Sequence, residues 1–105
     1  MNLRCHELAV QFYRRVRLKQ LPSSLKGQLQ RASSSVALNL SEGWGRAKDA
    51  DRRKFYQIAF GSIRECQSIV HLEYEMFDKE EIDLLDHLAA SVFKLTNTPC
   101  RSRAP

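Results

Sequence analysis

Apolar residues return along this chain at steps of three and four, the spacing that puts them on one face of an α-helix. Cys5, Leu8, Ala9, Phe12 and Val16 form the first stripe and predict a helix from about Leu3 to Lys19. Leu21-Pro22-Ser23-Ser24 interrupts it, because proline cannot continue a helix and disfavours helix in the residue before it. Leu29, Ala32, Val36, Leu40 and Gly43 form the second stripe. Its helix is expected from about Leu25 to Trp44, with Ser23 or Ser24 as the cap. Gly43 or Gly45 is expected to end it in the left-handed conformation open to glycine. After a turn over Ala47 to Asp51, Phe55, Ala59, Ser62, Cys66, Ile69, Glu73 and Met76 alternate steps of four and three, the rhythm of a bundle seam. That third helix should start under an Asp49 or Asp51 cap and reach about Phe77. Asp78-x-x-Glu81 has the form of a reciprocal cap. Ile82, Leu85, Leu88, Ala89 and Val92 then give a fourth helix, from about Lys79 to Leu95, its inward stripe.

Short connections make neighbouring helices antiparallel. The pattern therefore predicts an all-α protein, an up-down-up-down antiparallel four-helix bundle over residues 1–96, with a flexible C-terminal tail over 97–105. If the second turn centres near residue 48, Gly61 and Ser62 lie level with Ser34 and Ser35, small residues facing small ones. This predicts a tight contact between the second and third helices, with Gly61 inside it. If the first turn centres near residue 22, Cys5 lies level with Asn39 and the first helix covers that asparagine. Tyr56, Phe60, Ile63, Val70 and Tyr74 lie beside the third helix's seam, and Leu84 and Phe93 beside the fourth's. That is more apolar surface than one seam requires, and it points to a homo-oligomer.

Composition narrows the class. The 105 residues suit one domain with a modest core, and four glycines and three prolines disfavour a many-turned β fold. No run of about 18 apolar residues exists to span a membrane, and the N-terminus turns charged too early for a signal peptide. Cys5, Cys66 and Cys100 are odd in number and far apart, which fits a reducing cytoplasm better than a disulfide framework. Cys66, on an apolar face, reads as a core residue.

Charge is split unevenly. Residues 1–64 hold 13 Lys/Arg against 4 Asp/Glu, net +9, whereas residues 65–105 are net −4. One reading is an anionic partner; the other is solvated helix faces whose charges offset one another in an assembly. Two basic clusters stand out: Arg46, Lys48, Arg52, Arg53 and Lys54 around the second turn, and Arg14, Arg15, Arg17 and Lys19 at the end of the first helix. The first group suits nucleic-acid binding, and so does the second, although cations there also complement a helix dipole. In an up-down bundle the two clusters fall at opposite ends.

Catalytic chemistry finds no constellation. Asn39 and Glu42 share a polar face with Ser35 and Arg46, and read either as a pocket for a ligand or phosphate, or as a hydrogen-bond network with Glu42 pairing Arg46. A carboxylate beside an amide lacks a nucleophile or an acid–base partner. Trp44 either stacks on a base or packs over the bundle end. His6, His71 and His87 include no Glu-x-x-His, the di-iron bundle motif. No Gly-x-x-x-x-Gly-Lys loop is present, and Gly43-x-Gly45 ends a helix instead of opening one, the wrong polarity for anion binding. No enzymatic activity, cofactor or metal is expected.

Asn39-x-x-Glu42-Gly43-x-Gly45-Arg46 resembles the signature of 23S rRNA intervening-sequence proteins. Phe55-x-x-Ile58-Ala59-x-Gly61-Ser62-x-x-Glu65 resembles that family's second block, in the right order and spacing. The looser pattern runs from about Leu3 to Leu95. The resemblance implies a four-helix bundle that forms a homo-oligomer, typically a pentameric ring. It also implies a link to nucleic acid, RNA above all. Related accessory proteins of diversity-generating retroelements are implied to use a basic surface for nucleic acid and for a reverse transcriptase. Three departures stand out: no tryptophan precedes Trp44, Ala37 stands where the family commonly has proline, and the C-terminus lacks the usual lysine-bearing helical end.

Overall fold

The stripes of the first and second helices are buried whole, whereas the expected seam of the third is buried only at Ala59, Cys66 and Ile69, with Met76 exposed. The computed structural model describes residues 3–97. They form α1 (Leu3–Arg17), α2 (Ser23–Trp44), α3 (Asp49–Leu72) and α4 (Lys79–Asn97), with a short 3-10 turn at Tyr74–Met76 before α4. Phe12, Val16, Leu29, Val36, Leu40, Ile63, Cys66, Leu88 and Val92 are fully buried in one continuous core. No described helix is long and apolar enough to cross a membrane.

Each helix packs on two others. α2 lies most extensively on α3, α1 on α2 and α4, and α3 on α4, whereas the diagonal pairs keep their backbones farther apart. The four helices thus enclose the core in a ring. The α1–α2 turn and the 3-10 turn share one end; the α2–α3 turn shares the other with Leu3 and Asn97. α2 has 22 residues and α1 has 15, so at about 1.5 Å per residue α2 is roughly 10 Å longer. α3, with 24 residues, likewise exceeds the 19 of α4. The α2–α3 hairpin therefore reaches past the described ends of its neighbours.

The helix ends correct several expectations. α1 stops at Arg17, two residues before Lys19. α2 starts at Ser23 with Pro22 in the cap position and no side-chain cap bond, so neither Ser23 nor Ser24 caps it. Its C-terminal Gly45 is right-handed, at φ −76°, and its N–H is shared between the Ser41 and Glu42 carbonyls. Lys48, and not an aspartate, occupies the α3 cap position; Asp49 and Asp51 lie in the first turn, where their charge favours the positive helix end. α3 ends at Leu72, short of Phe77, because Glu73 leaves helical geometry at φ −114°, ψ 41°. The next three residues expose Tyr74, Glu75 and Met76. The reciprocal cap is present: Glu81 N donates to Asp78 Oδ1 at 2.8 Å, and Asp78 N to Glu81 Oε1 at 3.0 Å. Asn97 is helical; the rest of the expected tail, with Cys100, lies outside the described residues.

The α2–α3 register is as the small residues require, since Ser62 Oγ donates to Ser35 Oγ at 2.9 Å. The tight contact is elsewhere. A Cβ on Gly61 would meet nothing within 4 Å, whereas one on Gly43 would lie 2.8 Å from Tyr56 Cε1 and 3.0 Å from Phe55 Cβ. Ile63 and Val70, counted as surplus surface, are buried core. Tyr56, Phe60 and Leu84 are half-buried against it. Phe60 and Phe93 stack with ring centroids 5.6 Å apart.

Candidate nucleic-acid interface

Gly43 lets α2 close on α3, Gly45 follows the last α2 residue, and the chain turns through exposed Arg46, Ala47 and Lys48 into α3. Arg46, Lys48, Arg52, Arg53 and Lys54 therefore lie around the α2–α3 turn, at one tip of the bundle. The turn is braced from within. Arg46 Nη2 lies 2.6 Å from Glu42 Oε2, its guanidinium sits 4.7 Å from the centre of the Phe55 ring, and its carbonyl accepts from Arg52 Nε at 2.7 Å. Arg52 also approaches Asp49 at 3.6 Å. Arg46 and Arg52 shape the turn, while Lys48 and Lys54 are exposed cations.

The second cluster sits at the opposite end and is largely engaged. Arg15 pairs with Glu80 at 2.7 Å, which raises the arginine above its ordinary value. Lys19 pairs with Glu81 at 2.6 Å, donates to the Met76 carbonyl and lies 4.8 Å over the Phe77 ring. Arg17 lies 6.0 Å over Tyr13, and Arg14 is exposed. A groove of about 550 Å³ runs among Arg15, Leu18, Lys19, Gln20, Met76 and Glu81. Sequence reasoning found Glu81 as a cap and missed it as the anion that draws in α1. The available signal was a cation-rich α1 end meeting an acidic α4 start at one end of the bundle.

The polar stripe of the signature is occupied by its own residues. Asn39 Nδ2 donates to the Ser35 carbonyl at 2.9 Å and to Ser35 Oγ at 3.0 Å, so Asn39, Ser35 and Ser62 form one chain of hydrogen bonds. Glu42 answers Arg46. This is the network reading of those residues and not the pocket. Ala59 is core, Phe55 packs beside Gly43, and Gly61 and Glu65 face solvent. Trp44 is 50% exposed. Burial pushes the Cys66 thiol up to about 12, and Cys5 and Tyr56 upward as well. Both described cysteines are buried thiols outside any disulfide, unsuited to nucleophilic work. Among the described residues no group of three or more His, Cys, Asp or Glu could hold a metal ion.

The family model described as 23S rRNA-intervening sequence protein matches residues 2–98 of the chain. No curated protein and no solved structure matches it.

Proposed function

Because the chain belongs to the 23S rRNA-intervening sequence protein family, we propose that it is a non-enzymatic, self-associating module of the cytoplasm that binds RNA or another nucleic acid through the tip of its α2–α3 hairpin. The observation that supports this reading is the tip itself, where Arg46, Lys48 and Lys54 are exposed and Arg52 and Arg53 half-buried around one internally braced turn. The opposite end contributes little, since Arg15 and Lys19 are already neutralised by carboxylates. A homo-oligomer, with a pentamer favoured, repeats the tip around a ring and lets it track a phosphate backbone.

A second reading, a protein-interaction scaffold, has its own support. Leu38 and Ile58 are 68% and 43% exposed within a turn of the Ser35–Ser62 bond, on the outer side of the α2–α3 contact. There they offer apolar surface to a protein partner, a reverse transcriptase among the candidates. Charge reversal separates the two. Arg52 holds the turn, so the substitutions are Lys48→Glu, Arg53→Glu and Lys54→Glu together. Wild-type protein should be retained on RNA or DNA at about 50 mM salt, where counterion release favours binding. The triple variant should lose most retention while circular dichroism and light-scattering mass stay unchanged. Absence of wild-type retention gives the scaffold reading its place, and a monomer mass at micromolar concentration removes the ring.

A further inference from the structure

We propose that Trp44 is a stacking platform for an unpaired base, so that the nucleic acid taken by this tip is a single strand or a looped-out segment and not a regular duplex. The inference rests on the nucleic-acid reading above and deepens it. Trp44 is the chain's only tryptophan, stands at the last position of α2 and keeps half its surface in water. Leaving so large an apolar ring in water forgoes burial that a bundle end could have supplied.

The ring's backbone is fixed on both sides. Before it, Gly43 is closed against Phe55 and Tyr56, with no room for a Cβ. After it, the Gly45 N–H bonds Ser41 and Glu42 carbonyls at 3.3 and 3.2 Å, and the Arg46 N–H bonds the Gly43 carbonyl at 3.1 Å. Arg52 then fastens the Arg46 carbonyl. A backbone so held needs little further ordering when a base lies on the ring, which lowers the cost of binding.

Charge alone leaves the tip short. Residues 42–54 hold five Lys/Arg and also Glu42, Asp49 and Asp51, a surplus of only two positive charges. Two of those carboxylates sit on Arg46 and Arg52. So small a surplus supports few phosphate contacts per protomer, and stacking must supply the discrimination. A duplex keeps its bases stacked on one another, whereas unpaired ones can be splayed onto an aromatic side chain. Single-stranded RNA and DNA share that chemistry, and the test carries both.

The sole tryptophan makes its own probe. Full-length protein is titrated at about 50 mM salt with single-stranded RNA, single-stranded DNA and duplex RNA of equal length, following indole fluorescence and retention together. Single strands should quench Trp44 and the duplex should not. Trp44→Ala should weaken single-strand binding about tenfold or more with helicity unchanged, and Trp44→Phe should recover part of the loss. A single-strand response confined to one sugar type assigns that strand as the ligand. Single strands retained without quenching, and equally by Trp44→Ala, overturn the stacking role and leave the charge-based reading standing. No retention of any strand by wild-type protein overturns both.

Discussion

Gly43 and Gly61 stand on adjoining helices in opposite circumstances. A methyl group on Gly43 would meet the Tyr56 ring at 2.8 Å and Phe55 Cβ at 3.0 Å. The ring could swing away, but Phe55 Cβ is fixed to the α3 backbone. Gly43→Ala should therefore cost about 1–3 kcal/mol, as overpacking does, despite alanine's better helix propensity. Gly61→Ala meets nothing and should stabilise the protomer by up to about 1 kcal/mol, the propensity difference in a helix interior. Urea unfolding of the two variants should shift in opposite directions; a stabilised Gly43→Ala would show that α3 yields. The register that set Ser62 against Ser35 was readable from the turn position. Which glycine lay inside the contact was not, because Gly61 is one residue from Ser62 and so about 100° around the helix. That rotation carries it from the contact into water.

At the scale of helices, Glu81 ties three segments together. One carboxylate caps α4 through Asp78 N, pairs with Lys19 at 2.6 Å and lies 3.9 Å from Arg15. It is buried, so its loss leaves Lys19 with only the Met76 carbonyl and the Phe77 ring. Glu81→Ala should cost about 3 kcal/mol or more, in the range for breaking a buried pair by removing one partner. Glu81→Gln, which can still accept from Asp78 N, should cost less. Equal unfolding midpoints for the two variants would show that the ion pair and not the cap carries the effect. The cap was legible because its partners lie three residues apart. The ion pair was not, because it depends on which helix ends meet in space. The same limit applies to the two basic clusters: spacing located both, but only packing shows that Arg15 and Lys19 are neutralised by α4 carboxylates while Lys48 and Lys54 at the tip are exposed. Cap positions misled for a related reason, since Ser23, Ser24, Asp49 and Asp51 lie close enough to their helix starts that a shift of one or two residues moves them inside.

Over the whole molecule, alkaline pH acts against burial. Cys66, Cys5 and Tyr56 all have raised values, chiefly because burial disfavours the charged form. The unfolded chain releases its cysteine protons near the ordinary 9.0, while the folded state holds that of Cys66 to about 12. The stability each group contributes is complete below its unfolded value and is lost as pH rises toward its folded value. Unfolding free energy should thus fall between about pH 9 and 12. Cys66→Ala should start lower at neutral pH, from the cavity it leaves, and fall less steeply. A wild-type profile flat to about pH 11 would contradict the linkage. The bundle was legible from periodicity at this scale; the exposed Leu38, Ile58 and Phe93 were only partly so, because a stripe shows what can be buried and not what a neighbour leaves uncovered. The contact between α1 and α4 has a consequence in time. α1 packs on α4, which is synthesised well after it. Until α4 has been extended, α1 lacks one of the two helices that it packs on most. The core is therefore expected to close late in synthesis, once α4 has left the exit tunnel.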